Sequence, residues 1–282
     1  MEDELRALVQ ERLGAEARTV VRIDHGWDSI AFEVDDEWIV RVPRRPEVRA
    51  DLRKEAALLP LLGPALPVPV PKVAVLEDTL STFVIVHRKL RGKPLSSASE
   101  PALADEVGGF LAALHEISDV AEAGLPELTT RDWLDEQAAF AKRCEAVLRL
   151  LDSNEARRAE SMLESYLSRA PGFNPVLVHG DLGPEHILCR DDTVTGVIDW
   201  SDARVGDPAL DFAWLLHGPD EAFSETLLGA YVAAGGRVDA TFRERALYFH
   251  RLGPWHGVLF GLRPGRPELV ESGLAGVRAR LP

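Results

Sequence analysis

The sequence predicts an α+β fold of two lobes, a small lobe built around a sheet and a larger lobe that is mainly helical. At 282 residues the chain exceeds the usual size of one domain, and 46% of it is hydrophobic, enough for a sizeable core. Most short runs of β-branched residues fall within 1–90, whereas 91–282 consists largely of long amphipathic stretches. We expect these two ranges to form the two lobes, with a cleft between them.

The first lobe is expected to start with a helix and to continue as a meander of strands. Apolar residues recur at helical spacing over 2–13, and a second helix is predicted over 47–62. The alternating Pro-Val run over 67–71 comes next, and its prolines exclude a helix and favour an extended connector. Short β-branched runs predict strands at 19–23, 30–34, 38–42, 72–76 and 82–86.

Helical periodicity dominates the second lobe. Amphipathic stretches predict helices at 102–117, 131–151, 155–169, 208–216, 221–234, 241–262 and 268–281. Two short apolar runs, at 176–178 and 194–198, predict strands that interrupt these helices. Both strands run into polar residues, so we expect those side chains to meet in the cleft.

Composition and charge limit the kinds of binding partner and the cellular compartment that we expect. The formal charge is −14 and the pI is about 5.1, which argues against a nucleic-acid partner and favours small cationic molecules. The two cysteines, Cys144 and Cys189, are too few and too far apart for a disulfide framework. The acidic start differs from a signal peptide, and no apolar run approaches the roughly 18 residues of a membrane span. We therefore expect a soluble cytoplasmic protein without a membrane partner.

Phosphoryl transfer is the chemistry that the two strand ends suggest. The first strand leads into His179-Gly180-Asp181, with His186 five residues after Asp181, and Asp199 follows the second strand. Transfer of a phosphoryl group needs a carboxylate that accepts the proton of the acceptor hydroxyl, together with metal ligands near the phosphates. Asp181 is the candidate base, and Asp199 and His186 are the candidate metal ligands.

This combination of motifs resembles the aminoglycoside and macrolide phosphotransferase family. The resemblance rests on His-Gly-Asp with His186 downstream, on Ile198-Asp199-Trp200, and on the continuation of that second motif to Asp211. The segments 38–45 and 233–238 resemble the macrolide kinases in particular. The resemblance covers nearly the whole chain. It implies a protein-kinase-like fold, with a small antiparallel sheet lobe and a larger helical lobe.

The resemblance also implies roles for individual residues. Asp181 is expected to be the catalytic base, His179 to hold its loop, and Asp199 to be the chief ligand of Mg²⁺. His186 stands where Asn is commoner in the family, and because imidazole suits later metals better, we expect Mn²⁺ to be accepted as well. Arg41 and Glu55 are expected to form the pair that holds the nucleotide phosphates, with Arg in place of the usual Lys.

Nucleotide contacts are expected at two further places in the first lobe. The turn from His25 to Ser29 occupies the position of the family's phosphate-covering loop, so the amides near Gly26 and the hydroxyl of Ser29 are candidates. The hinge between the lobes is expected at about 86–91, where backbone groups of His87, Arg88 and Lys89 would hold the purine. Backbone contacts do not distinguish adenine from guanine, so ATP and GTP both remain candidates.

Several acidic residues remain for structure or for substrate. Asp207 before Pro208 is typical of a helix cap, and we expect a structural role for it and for Asp211. Arg44 and Arg45 are expected to be surface charges. The candidates for binding ammonium groups of a substrate are Asp202, Asp220 and Glu221.

Taken with the resemblance, these features predict a monomeric antibiotic kinase that moves the γ-phosphoryl of ATP or GTP to a hydroxyl. A macrolide, an aminoglycoside or a tuberactinomycin-type peptide would be the cationic acceptor. One alternative keeps the chemistry but takes an amino alcohol, a sugar or homoserine as acceptor. A second alternative is a pseudokinase that binds nucleotide without turnover, suggested by Arg41 and His186 standing where Lys and Asn are commoner.

Overall fold

A computed structural model describes residues 2–14, 17–23, 28–79, 83–95, 101–168, 172–218, 220–263 and 266–282. The two-lobed α+β architecture that the sequence predicts is confirmed. Within the described ranges no helix is both long and apolar enough to cross a bilayer.

The first lobe is built on a five-stranded antiparallel sheet in the order β1-β2-β3-β5-β4. Its strands are β1 (Val20–Ile23), β2 (Ser29–Val34), β3 (Trp38–Pro43), β4 (Val73–Asp78) and β5 (Phe83–Arg88). Helix α1 (Glu2–Leu13) precedes the sheet, and α2 (Val48–Ala65) connects β3 towards β4.

Alternation of side chains along β5 explains why the two helices lie on opposite faces of the sheet. Val84 and Val86 belong to the apolar cluster that includes Leu5 and Val9 of α1. The intervening residues Phe83 and Ile85 belong to the cluster that includes Val48 and Leu52 of α2. The sheet is therefore packed between α1 and α2, and β3 is held rigidly in its interior.

The second lobe surrounds one large apolar core. Its helices are α3 (Pro101–His115), α4 (Thr130–Leu148), α5 (Ser153–Ser168), α6 (Glu221–Ala233), α7 (Phe242–Gly261) and α8 (Pro267–Arg280). Trp133, Phe212 and Trp255 are among its fully buried side chains. Trp133 and Trp255 therefore pack in the core.

Five short strands of the second lobe carry the polar motifs. They are β6 (Lys93–Pro94), β7 (Val176–Val178), β8 (Ile187–Arg190), β9 (Thr193–Val197) and β10 (Arg204–Gly206), arranged as a β6-β8-β9 sheet and a β10-β7 pair. Strands β6, β8 and β10 were not predicted: each has at most four residues, and unlike the equally short β7 none of them is a run of β-branched and apolar residues alone. The predicted helix over 208–216 is wrong in type: a 3₁₀ helix at Pro208–Phe212 is followed by turns.

The chain passes between the lobes through Leu90 to Gly92, after β5 and before β6. Gly92 has a φ of +147°, and a Cβ there would lie 2.4 Å from the hydroxyl oxygen of Thr195. A larger residue would therefore force the connection away from the β8–β9 hairpin. This close approach fixes where the first lobe leaves the second.

Candidate active site

The loop that carries the candidate base leaves β7 under tight steric limits. Gly180 has a φ of +86°, and a Cβ at this position would come within 2.4 Å of the carbonyl oxygen of Asp202. Only glycine fits both the left-handed conformation and this contact. The loop therefore turns sharply after His179 and presents Asp181 to the cleft.

His179 and Asp211 hold the catalytic loop from beneath. The ring of His179 is completely buried, and its Nε2 lies 3.0 Å from the carbonyl oxygen of Ile198, just before Asp199. The backbone N–H groups of His179 and Gly180 each donate to one carboxylate oxygen of Asp211, at 2.9 Å. One buried carboxylate thus fixes two consecutive amides next to Asp181.

Asp181 is open to a substrate. Its side chain is 52% exposed, in contrast to the buried residues that support it. Desolvation within the cleft raises the pKa of Asp181 above its ordinary value, and the carboxylates of Asp199 and Glu185 add to this rise. A carboxylate with a raised pKa is a stronger proton acceptor than an ordinary aspartate.

Asp199 adopts a left-handed conformation, with a φ of +65°, where the chain leaves β9. Its Oδ1 accepts hydrogen bonds from Arg41 Nη2 and from the hydroxyl of Ser201, both at 3.0 Å. Desolvation is the largest single influence and opposes the ionised form, but Arg41, the two nearby histidines and the hydroxyl of Ser201 together outweigh it and lower the pKa of Asp199. The residue is thus held as a carboxylate.

The imidazole of His186 lies between the two carboxylates. Its Nδ1 is 2.6 Å from the carbonyl oxygen of Asp181 and 4.0 Å from the Oδ2 of that residue. Its Nε2 is 3.9 Å from Asp199 Oδ2. Because Nδ1 donates to a carbonyl, Nε2 of the neutral ring keeps its lone pair on the side of Asp199.

This pair fits a metal ion that takes its other ligands from phosphate and water. Asp199 and His186 supply carboxylate oxygen and imidazole nitrogen on neighbouring edges of the cleft. In the described part of the chain, no group of three or more His, Cys, Asp or Glu side chains is placed to hold a metal. Magnesium bound with nucleotides commonly uses only one or two protein ligands, so two are sufficient.

Arg41 and Glu55 join the first lobe to this site. Arg41, on β3, donates from Nη1 to both carboxylate oxygens of Glu55 on α2 at 2.7 Å, and from Nε to Ser29 Oγ at 3.2 Å. Desolvation raises the pKa of Glu55, which is 2% exposed, while the charge of Arg41 opposes that rise. Arg41 therefore reaches both the α2 carboxylate and Asp199.

The side chains of the predicted hinge residues contact other residues of the first lobe. Lys89 Nζ is 2.6 Å from Glu33 and from Asp36, and the Lys89 amide donates to the carbonyl of Glu37. Arg88 pairs with Glu37 and lies over the ring of Trp38. His87 is buried, with Nδ1 3.0 Å from the Arg88 carbonyl oxygen.

The described part of the predicted phosphate loop begins at Asp28. Gly26 lies outside the described residues, whereas Ser29 is buried against Arg41. Arg45 was expected to be a surface charge, but it is paired with Asp28 and lies over the ring of Phe260 on α7. Its guanidinium thus bridges the two lobes.

The predicted substrate carboxylates do not lie together. Asp202 adjoins Gly180 in the catalytic loop, and its side chain is exposed. Desolvation raises its pKa to about 7, with further contributions from Asp181, Asp199 and Asp28. Asp220 caps α6 by accepting from the amide of Phe223, and Glu221 is exposed in the first turn of that helix.

Asp207 and Asp211 have different structural roles. Asp207 accepts the amide of Ala209 with Pro208 at the next position, which is the cap predicted from sequence. It also accepts hydrogen bonds from Tyr166 and Arg245 inside the second lobe. The contacts of Asp211 with the catalytic loop were missed, because nothing in the local sequence points to a partner 32 residues away.

Two lobes joined by a hinge, a loop with an exposed aspartate, and an arginine–glutamate pair facing a second aspartate define a phosphotransferase of protein-kinase-like fold. Residues 19–248 match the APH phosphotransferase enzyme family, and the chain belongs to that family.

Relatives of this chain phosphorylate different antibiotics. Viomycin phosphotransferase of Streptomyces vinaceus is 30% identical over 208 residues, 69% of each protein. A structure of macrolide 2'-phosphotransferase type I superimposes with a TM-score of 0.79 at 28% identity, covering 98% of this chain and 96% of that one. The GDP and kanamycin complex of the aminoglycoside phosphotransferase APH(2")-IIia has a TM-score of 0.87 at 22% identity, covering 98% of each chain. At that identity the last likeness shows the fold alone.

Proposed function

We propose that this phosphotransferase is an antibiotic kinase that transfers the γ-phosphoryl of ATP or GTP to a hydroxyl of a small cationic antibiotic. The observation that carries the proposal is the position of His186, with Asp181 at one ring nitrogen and Asp199 at the other. An acceptor hydroxyl beside Asp181 would face a phosphate held at Asp199 and Arg41.

The residues divide the chemistry among them. Asp181 takes the proton of the acceptor hydroxyl while the new bond forms between that oxygen and the γ-phosphorus. The bond from the γ-phosphorus to the bridging oxygen breaks, and the nucleoside diphosphate leaves. Arg41 binds the phosphates through Nη2, while Glu55 holds Nη1. Asp199 and His186 would hold Mg²⁺ or Mn²⁺, and the ion would neutralise phosphate charge.

The nucleotide is proposed to enter between the lobes, with its base at the hinge over 86–91. The first lobe, 1–90, supplies the phosphate contacts near Gly26 and Ser29 and the backbone groups of His87, Arg88 and Lys89. Because the Lys89 amide already donates within the lobe, its carbonyl is the group left for the base. The second lobe, 91–282, supplies the catalytic loop and the acceptor site. The reaction is proposed to take place in the cytoplasm, where nucleoside triphosphates are made.

The acceptor is proposed to be a cation. The chain carries a net charge of −14, and Asp202 lies beside the loop of the base. A tuberactinomycin-type peptide is the first acceptor to test, because viomycin phosphotransferase is the relative that matches at 30% identity. Asp202 is the substrate contact supported best by position, whereas Asp220 is occupied as a helix cap and Glu221 is exposed beside it.

A coupled phosphorylation assay tests the proposal. The purified protein is incubated with viomycin, kanamycin, a macrolide, choline or homoserine, each with ATP and with GTP. We expect transfer to one of the antibiotics, lost in Asp181→Asn and kept in Asp192→Asn, a matched control in the exposed β8–β9 turn. Transfer only to choline or homoserine, or nucleotide binding without any transfer, would overturn the antibiotic assignment.

A further inference from the structure

The glycine-containing turn after α6 contacts a buried tyrosine. A Cβ on Gly236 would lie 2.4 Å from two ring carbons of Tyr231, so the glycine leaves room for that ring. The turn that contains Gly236 therefore fixes the plane of the Tyr231 ring.

Tyr231 in turn contacts His115 at the end of α3. Its hydroxyl oxygen is 2.8 Å from His115 Nδ1, and the two rings meet edge to face at 5.5 Å. Helices α3 and α6 approach closely here: a Cβ on Gly108 of α3 would be 2.8 Å from the backbone nitrogen of Tyr231. Both side chains are buried, Tyr231 at 2% exposure and His115 at 8%.

His115 reaches the carboxylate that holds the catalytic loop. Its Nε2 is 3.3 Å from Asp211 Oδ2, the same oxygen that accepts the backbone N–H of His179. A carboxylate only accepts, so Nε2 carries the proton, and Nδ1 of the neutral ring then accepts from the Tyr231 hydroxyl. The two hydrogen bonds from Tyr231 through His115 to Asp211 therefore point the same way, an arrangement in which successive hydrogen bonds strengthen one another.

We propose that Tyr231 and His115 are positioning residues that hold the catalytic loop through Asp211. Tyr231, whose ring packs against Gly236, is the outer end of this network, and the amides of His179 and Gly180 are the inner end. The network explains why a polar path crosses an otherwise apolar helix interface: it fixes the orientation of the Asp211 carboxylate. Removing one member lets that carboxylate rotate and lets the loop of Asp181 relax.

The three tyrosines of the chain supply a matched test. Tyr231 belongs to this network, and Tyr166 bonds Trp133 and Asp207 in a separate one. The hydroxyl of Tyr248 is buried and has no hydrogen-bond partner among the described residues. Each is changed to phenylalanine, which removes one oxygen and keeps the ring.

Four quantities are measured: kcat and KM for phosphoryl transfer, Tm, and amide hydrogen exchange of the peptide that contains His179 and Gly180. Tyr231→Phe is expected to lower kcat about three- to tenfold with KM unchanged and to speed exchange at these amides. Tyr248→Phe should change neither kcat nor the exchange of these amides. Tyr166→Phe should lower Tm and leave both kcat and the exchange of this peptide unchanged at low temperature.

A glycine pair supplies the second test. Gly236→Ala pushes on the Tyr231 ring and is expected to reproduce the effect of Tyr231→Phe on exchange and kcat. Gly229→Ala is the control, because a Cβ at that position on α6 meets no atom within 4 Å. The kcat readout rests on the proposed function, whereas the exchange readout needs no acceptor, so a failure to find a substrate leaves this inference testable.

The outcomes separate the possibilities. Faster exchange at His179 and Gly180 together with a lower kcat in Tyr231→Phe supports the inference. If Tyr231→Phe behaves like Tyr248→Phe, or loses Tm without faster exchange at these amides, the network has no positioning role and the inference is overturned.

Discussion

Arg41 Nη2 lies 3.0 Å from Asp199 Oδ1, so a cation of the first lobe directly contacts the candidate metal ligand of the second. The same guanidinium donates to both oxygens of Glu55. One planar group thus connects β3, α2 and the end of β9. Nucleotide binding is expected to exchange the contact with Asp199 for contacts with phosphate while the pair with Glu55 stays in place.

Arg41→Lys tests whether this planar group is needed. An ammonium can pair with Glu55 but cannot form the fork and reach Asp199 at the same time. We expect KM for the nucleotide to rise about tenfold, as for the loss of one charge-assisted contact. The measurement is initial velocity against nucleotide concentration, with Arg44→Lys as the matched control on the same strand end. An unchanged KM in Arg41→Lys would show that the planar guanidinium is not needed.

His186→Asn tests the metal preference. The imidazole Nε2 faces Asp199 Oδ2 at 3.9 Å, and an amide oxygen would be a harder ligand than this nitrogen. We expect the ratio of turnover with Mn²⁺ to turnover with Mg²⁺ to fall in His186→Asn by about threefold or more. Both metals are titrated at fixed nucleotide concentration. Identical ratios in the two proteins would mean that His186 does not act as a metal ligand.

His87 predicts acid sensitivity of the first lobe. Desolvation lowers the pKa of this buried ring to about 4. The unfolded chain takes up a proton below pH 6.5, whereas the folded chain does so only near pH 4, so stability falls as the pH falls through this window. The full loss is about 3 kcal/mol of unfolding free energy, and it is absent well above pH 6.5.

Urea unfolding at pH 7.5, 5.5 and 4.5 measures this effect. His87→Gln keeps a polar side chain without a titrating ring, and its stability should decline less between pH 7.5 and 4.5 than that of the unaltered protein. Parallel curves for the two proteins would show that His87 does not contribute.

Asp207→Asn separates stability from catalysis. The Asp207 carboxylate is fully buried and accepts from Arg245 at 2.8 Å and from Tyr166 at 3.1 Å. Removing its charge leaves a buried guanidinium less well compensated, so we expect a loss of about 3 kcal/mol in unfolding free energy. Turnover measured well below Tm should remain, because the residue has no contact with the catalytic loop. A large fall in kcat with Tm preserved would reverse this division of roles.

The sequence was most informative about site residues that lie close in the chain to a predicted strand. The residues from His179 to His186 and the segment around Asp199 lie close to short predicted strands, so their meeting in the cleft followed from order alone. The pairing of Arg41 with Glu55 was implied by the family resemblance, which calls for a cation on the third strand and a carboxylate on the next helix, and the structure places them 2.7 Å apart.

Contacts between distant segments were not predictable. The partner of Tyr231 is 116 residues away, and that of His115 is 96 residues away, so only the packing of α3 on α6 and the 3₁₀ helix brings them together. Arg45 was misjudged for the same reason, since its partner Phe260 belongs to the other lobe. The strands β8 and β10 exist because neighbouring segments pair with them, and β-branched content alone did not reveal them.

The most direct test of the account separates binding from chemistry at Asp199 and Asp181. Calorimetric titration of the Mn²⁺–nucleotide complex is combined with turnover for the unaltered protein, Asp199→Asn and Asp181→Asn. The account predicts that Asp199→Asn loses metal–nucleotide binding, whereas Asp181→Asn binds within about twofold of the unaltered protein and loses turnover by about 100-fold or more. Equal loss of binding in both variants, or turnover that persists in Asp181→Asn, would contradict it.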